Sequence, residues 1–330
     1  MDGYNVIAGM AFSGSRLAEY KDFLRKKRLT DEEDADYTVM LTDEASNVVA
    51  CGSLSGSVIK QIAVDASAEG GGLCARVLSE LQAEAARRGK AHLFLYTRPE
   101  NKQIFVSLGF FPMAETEAVL MMENRRDGLR RFLDSIGRRE GTSACIVCNC
   151  NPMTKGHQFL METASAQCDN LYIFVLSEDG GNGDFPPAVR YELVKGGTAH
   201  LKNVIVCRSD DYIISRSTFP AYFLKDSADA ENVRADLDLI LFAARIAPAL
   251  GITKRFVGTE PFDAVTRKYN ARMHEILPRY GIEVKELPRK DGISAGRVRA
   301  LLKERKFDEI REIVPENVYE YLSGNLAHDA

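Results

Sequence analysis

The 330-residue sequence has no long apolar run, no basic excess and no cysteine framework, and each absence removes a class of function. No stretch approaches the roughly 18 consecutive apolar residues of a membrane span, so no membrane partner is expected. Lys and Arg total 43 against 47 Asp and Glu, and no block of like charge is long enough to act as a binding tail. A nucleic-acid partner therefore has no electrostatic footprint. The opening "MDGYNVIAGMAFSGSRLAEYKD" lacks the basic flank and apolar core of a secretion signal. Seven cysteines are an odd number and fit no disulfide framework. Cys145, Cys148 and Cys150 cluster, but a zinc site would need a second close Cys/His pair, and none follows. Buried thiols in a reducing cytosol are the better account, and the expected compartment is the cytoplasm. Low-complexity tracts and internal repeats are absent as well.

What is present reads as two domains. In the first third, "DYTVMLTD" and "VVACGSLSGSVIKQIAVD" have the β-branched content and small turn formers of strands. "LCARVLSELQAEAARRGK" is an amphipathic helix, with Leu73, Val77, Leu78 and Leu81 at three- and four-residue steps. "AHLFLYT" follows as a buried strand, "NKQIFVSLGFF" as a short helix and turn, and "AVLMME" as a last strand. Residues 1–123 thus form a first α+β domain. Residues 124–140, charged and poor in core residues, form a connecting helix and linker. From 141 to 330 the strands "ACIVCN", "LYIFVLS", "NVIVCR", "KRFVGT" and "EVKELPR" alternate with helices, which predicts a Rossmann-like, doubly wound parallel sheet.

The segment "CNCNPMTKGHQFLMETASA" leaves the first of those strands through Asn151-Pro152 and enters a helix. Pro152 ends the ladder, Gly156 admits a close backbone approach, and the helix start offers free amides and the positive end of its dipole. Thr154 and His157, three apart, fall on one face. A hydroxyl, an imidazole and helix amides at one point suit a triphosphate; the same residues also fit a Thr N-cap beside a packed His. Histidine is otherwise sparse: His92 in "AHLFLY" reads as a packing residue, and His200, His274 and His328 have no partners in the sequence. In the first domain, Gly70-Gly71-Gly72 between a strand and a helix is either a flexible turn or a place where amides approach a pyrophosphate.

Together with "QIAVD", the long helix and "ENKQIFVSLGF", that glycine turn resembles the GNAT acetyltransferase fold over residues 1–123. The resemblance implies a coenzyme A or related pantetheine site at Gly70, Gly71 and Gly72. Glu69 stands where that family usually has Gln or Arg, and no residue presents itself as an acetyl-transfer base.

"MTKGH" resembles the phosphate-binding signature of the nucleotidyltransferase superfamily, and "DGISAGRVRALLKE" its second signature, a Ser loop opening a helix. The departure there is Gly296, where the superfamily usually has Ser or Thr. The resemblance implies ATP with Mg2+, held by His157, Thr154, Ser294 and Arg299 as catalytic residues and by Asn151, Lys155, Gly156 and Arg297. It also places "RFVGTEP", with Gly258, Thr259 and Glu260, beside the nucleotide base and ribose.

The longer strings "NCNPMTKGHQFLME", "DYIISRSTFPAYFLK", "FVGTEPFDAVTRKYNARM" and "ISAGRVRALL" resemble the citrate (pro-3S)-lyase ligase family, which pairs a GNAT-like domain with a nucleotidyltransferase domain. That implies an enzyme that uses ATP and acetate to acetylate the thiol prosthetic group of the citrate lyase acyl carrier subunit, releasing AMP and pyrophosphate. Arg216, Ser217 and Thr218 are then candidates for an acetate or carrier wall, and Arg267 and Lys268 for phosphate or carrier contacts. An adenylyltransferase acting on a small phosphorylated cofactor precursor would use the same two signatures and is the alternative.

Overall fold

A computed structural model of the chain describes residues 3–10, 12–32, 34–177, 185–214, 219–224, 227–260, 263–288 and 293–326. It divides into two compact units, residues 1–128 with 218–237, and residues 129–217 with 238–330. No described helix is long and apolar enough to cross a membrane.

The first unit is built on a seven-stranded sheet in the order β1-β2-β3-β4-β5-β7-β6. Its strands are β1 (Asn5–Gly9), β2 (Tyr37–Thr42), β3 (Val48–Ser55), β4 (Val58–Val64), β5 (Phe94–Thr97), β6 (Phe111–Glu115) and β7 (Leu120–Glu123). All neighbours are antiparallel except β4 and β5. Side chains alternate across a strand, so β2 sends Val39 and Leu41 to one face and Met40 to the other. Helix α1 (Gly14–Lys26) lays Tyr20, Phe23 and Leu24 against Met40 and Cys51. Helix α2 (Leu73–Arg87) lays Leu73, Val77, Leu78, Leu81 and Ala85 against Val39, Leu41 and Leu54. A short helix, α3 (Lys102–Ser107), completes the unit. The edge strand β6 begins at Phe111, the last residue of the short helix and turn read from sequence, and runs on through residues given no reading there; its Pro112 is tolerated because an edge strand leaves one side of its backbone unpaired.

The second unit opens with α4 (Gly128–Ile136), whose Leu129 and Leu133 are buried. It then alternates β8 (Ser143–Cys148), α5 (Lys155–Ser165), β9 (Asn170–Val175), α6 (Pro187–Gly197) and β10 (Val204–Arg208). A helical stretch follows: α7 (Ser227–Leu241), which belongs to the first unit up to Leu237, then a π-turn over Phe242–Ile246 and α8 (Ala247–Leu250). The remainder is β11 (Ile252–Gly258), α9 (Ala264–Ile276), β12 (Glu283–Leu287), α10 (Ala295–Lys303), α11 (Phe307–Ile313) and α12 (Glu316–Leu326). All five strands are parallel, in the order β10-β9-β8-β11-β12. This is the doubly wound sheet expected from the strand–helix rhythm. One face buries Ala144, Ile146, Leu171, Ile173 and Phe256 against Met161, Leu193, Val298 and Ile310 of the helices. The carboxyl ends of β8 and β11 lie side by side, since Arg255 pairs with Cys145. Such an edge is where open α/β sheets bind ligands.

Candidate active site

The loop after β8 is held from below by an arginine that the sequence did not single out. Arg190 on α6 is 1% exposed; its Nε donates to the Phe185 carbonyl at 3.0 Å and its Nη1 to the Asn149 carbonyl at 3.1 Å and the Asn149 side chain. Asn151, also buried, accepts the Phe185 N–H through Oδ1 at 2.9 Å. These bonds leave the loop little freedom, so the helix start that follows is fixed in place.

That start is a reciprocal cap. Thr154 Oγ1 accepts the His157 N–H at 3.3 Å, and His157 Nδ1 accepts the Thr154 N–H at 3.1 Å. The Thr154 hydroxyl lies 2.9 Å from the same Nδ1 and is 1% exposed. Because a backbone N–H can only donate, Nδ1 must carry a lone pair, and a neutral His157 holds its proton on Nε2. The sequence left open whether Thr154 and His157 cap a helix or serve an anion. The geometry shows the cap, and the cap fixes the tautomer with its proton on Nε2. Lys155 Nζ is tied to the Arg311 carbonyl at 3.1 Å.

The second motif meets the first. Ser294 caps α10 by accepting the Arg297 N–H at 3.1 Å. A Cβ added at Gly156 would stand 3.6 Å from Ile293 Cγ2 and 3.8 Å from the Ile293 carbonyl oxygen, so any side chain at position 156 would reach the segment that opens the second motif. One turn into α10, Arg299 Nη1 donates to the carbonyl of Asn151. Arg297, further out, points toward Glu309 at 3.7 Å, and among the described residues Gly296 has only Ser294 Oγ near its vacant Cβ position, at 3.9 Å. Asn151, Thr154, Lys155, Gly156 and His157 are therefore one cluster with Ser294 and Arg299.

Gly258 closes β11 at the same sheet edge, and among the described residues nothing lies within 4 Å of its vacant Cβ position. Its carbonyl is held by Asn270 Nδ2 at 3.1 Å, and Thr259 N–H bonds to the Leu287 carbonyl at 2.9 Å. Glu260 Oε1 accepts the Asp263 N–H at 3.2 Å. Asn270, which sequence reasoning passed over, is 4% exposed; only its place one turn and a half into α9 would have suggested that it faces back to the strand end. Arg267 and Lys268 on the same helix are exposed. Arg216, Ser217 and Thr218 lie outside the described residues.

The other candidates are placed as follows. Gly70 and Gly72, in the first unit, have φ of +79° and +73°, and Gly72 precedes α2 without a side-chain cap. His92 packs on Phe94 with ring centroids 4.6 Å apart and pairs with Glu123. His200 and His274 meet Glu162 and Glu286. His328 is outside the described residues. Cys145 and Cys150 are buried free thiols; burial pushes Cys145 up to about 12 and Cys150 well above its ordinary value.

Comparison with known proteins gives three results of use. The citrate lyase ligase C-terminal domain family matches residues 143–322. A citrate (pro-3S)-lyase ligase of Klebsiella pneumoniae is 39% identical over 91% of this chain and 90% of its own length; one from Escherichia coli K12 is 37% identical over 95% and 92%. Among solved structures, Thermotoga maritima TmcAL bound with alpha-thio ATP is similar at 16% identity, 57% of this chain, 56% of its own and a TM-score of 0.37. With the domain match covering the parallel-sheet unit and relatives of this identity covering the chain nearly end to end, the protein belongs to the citrate lyase ligase family.

Proposed function

We propose that the protein activates citrate lyase by acetylating the thiol prosthetic group of its acyl carrier subunit, with ATP as the energy source. The observation that supports this most is the meeting of two helix starts at the end of the parallel sheet, joined by Arg299 and Asn151. Helix N-termini present unpaired amides and a positive dipole end to phosphate. Two of them on one spot, with an arginine and an imidazole N–H beside them, suit a triphosphate rather than a single phosphate.

In the first step an acetate oxygen attacks the α-phosphorus of ATP; the bond to the β-phosphate oxygen breaks, giving acetyl-adenylate and pyrophosphate. In the second, the carrier thiol, losing its proton, attacks the acetyl carbon and expels AMP. The first step needs charge stabilisation and alignment more than covalent help. His157 Nε2–H donates to the oxygens around the α- and β-phosphates, where charge grows. Thr154 orients that ring. Ser294, Arg297 and Arg299, with the amides of α10, hold the β- and γ-phosphates, and Lys155, Gly156 and Asn151 line the same turn. Gly258, Thr259 and Glu260 border the base and ribose. Mg2+ bound with ATP would neutralise phosphate charge. In the first unit, the Gly70–Gly72 turn offers its amides to the phosphate end of a pantetheine-bearing group.

Pyrophosphate release from the purified protein, measured with ATP and Mg2+, should require acetate, and the acetyl group should finish on the carrier thiol. Release driven by a phosphorylated cofactor precursor instead would assign the protein to the adenylyltransferases. The relatives that share both units argue for the ligase.

A further inference from the structure

Two charged side chains are buried in the second unit away from the phosphate motifs: Arg255 on β11 and Asp238 on α7. Side chains alternate along a strand, so Arg255 lies on the sheet face opposite Phe256. Tyr269 on α9 joins the two charges. Its hydroxyl accepts from Arg255 Nη2 at 3.1 Å and donates to Asp238 Oδ2. A guanidinium only donates and a carboxylate only accepts, so the direction of both bonds is fixed. Arg255 Nη1 is buried without a hydrogen-bond partner among the described residues, and the guanidinium lies over the Phe242 ring at 4.6 Å. This cation therefore relies on the phenol and on that ring.

The relay ends on backbone. Asp238 Oδ1 accepts the Ile214 N–H at 2.8 Å. Ile214 belongs to a segment that leaves the carboxyl end of β10 and is held along its length. Ser209 Oγ accepts the Ser177 N–H at 2.9 Å, Ser177 Oγ accepts the Asp210 N–H at 3.0 Å, and the Tyr212 ring packs on Phe132 at 4.8 Å. Asp210 takes a φ of +43°, a strained value for a residue with a side chain, and strain of this kind gathers at functional sites. Asn270, the neighbour of Tyr269 on α9, donates to the Gly258 carbonyl at the end of β11. One helix thus ties the end of β11 to the segment that follows β10.

We propose that Asp238 and Tyr269 are positioning residues for the carboxylate substrate: their relay sets the segment ending at Ile214 in a fixed place relative to the strand that ends at Gly258. The inference rests on the adenylation reading and deepens it. A buried ion pair adds little stability over an apolar core of the same volume; what this one supplies is position. The phosphates are assigned to the helix starts beside β8 and the base to the end of β11, while β10 lies on the other side of β8. In-line displacement brings the attacking oxygen from the side opposite the departing pyrophosphate, so the acid needs a wall of its own. Tyr212, Ile213 and Ile214 belong to "DYIISRSTFPAYFLK", the string in which the sequence offers its candidates for that wall.

The test uses the full chain with ATP, Mg2+ and deacetylated citrate lyase, and follows pyrophosphate release as acetate and ATP are varied in turn. Tyr269→Phe removes only the bridging hydroxyl. It should raise the KM for acetate at least about tenfold and leave the KM for ATP within about twofold, since a displaced wall misaligns one substrate alone. Asp238→Asn should move the same constant in the same direction. The double variant should do no worse than the more damaged single one, because both changes cut one relay. An unchanged KM for acetate in Tyr269→Phe, or equal rises for acetate and ATP, would overturn the proposal and leave the relay a core contact. Should Asp238→Asn fail to fold with the Arg255 charge uncompensated, Tyr269→Phe keeps both charges and decides the matter. Wild-type release that ignores acetate would instead contradict the adenylation reading itself, before any variant is compared.

Discussion

The Arg299 guanidinium donates to the carbonyl oxygen of Asn151, 148 residues away, and so ties the second phosphate motif to the loop that opens the first. A guanidinium bonded to the protein's own backbone is held in one orientation. Arg299→Ala removes both the tie and the charge. Loss of one preorganised donor typically costs about 3–4 kcal/mol, so acetate-dependent pyrophosphate release should fall by on the order of a hundredfold or more. Arg299→Lys should not restore it, because a point charge lacks the fork geometry. Wild-type rates in Arg299→Lys would remove the orienting role.

In the proposed reaction His157 acts through Nε2–H; its Nδ1 is held by the Thr154 N–H at 3.1 Å. His157→Ala should lower turnover roughly a hundredfold while leaving the fold intact by circular dichroism. Near-normal adenylation by that variant would exclude the imidazole from the reaction.

Thr154 contributes differently, as the cap that accepts the His157 N–H. Thr154→Val should lower stability by about 1 kcal/mol in urea melts, the usual worth of a side-chain N-cap, and cut turnover less than His157→Ala does. Thr154→Ser, which keeps the oxygen, should match the wild type in both measurements. Failure of Thr154→Ser would show that the methyl group, not the hydroxyl, is what the site needs.

Arg190 is buried under the same loop and holds the Phe185 and Asn149 carbonyls. Arg190→Met leaves those acceptors without their donor and should cost about 2–3 kcal/mol. Its effect on the ATP dependence of turnover should exceed its effect on melting, since the loop is what loosens. Unchanged ATP dependence would make Arg190 a core residue only.

These cases mark what the sequence displayed. Both helix starts were readable because each is a local string: a cap residue, a glycine and a basic or imidazole side chain within one turn. The five parallel strands were readable as apolar runs spaced by helices. Arg190 and Asn270 were not, because an arginine or asparagine inside a helix carries no local mark of the distant carbonyl that it meets. Residues 219–224 belong to the first unit, yet an aromatic-rich stretch gives no sign of which core receives it. Strand β6 hid behind Pro112, which reads as a breaker until the edge position is known.

The buried thiol of Cys145 gives a pH prediction. Its pKa is pushed up to about 12 in the folded chain, against about 8.5 for an unfolded cysteine. The folded state then keeps a proton that the unfolded state loses. Stability is therefore full below pH ~8.5 and falls as pH rises toward the folded value, by about 1.4 kcal/mol per pH unit for one such group. Cys145→Ala should flatten the decline of urea-melt stability between pH 9 and 10.5. An unchanged slope would mean that this thiol ionises as readily in the fold as out of it.

The central claim is that acetate attacks the α-phosphorus of ATP, and oxygen-18 follows that atom directly. Acetate labelled in both oxygens is incubated with the protein, ATP, Mg2+ and deacetylated citrate lyase, and the AMP is weighed by mass spectrometry. The account predicts one labelled oxygen in the AMP phosphate, delivered when the carrier thiol displaces the adenylate. Unlabelled AMP, or label found in pyrophosphate or phosphate instead, would contradict it.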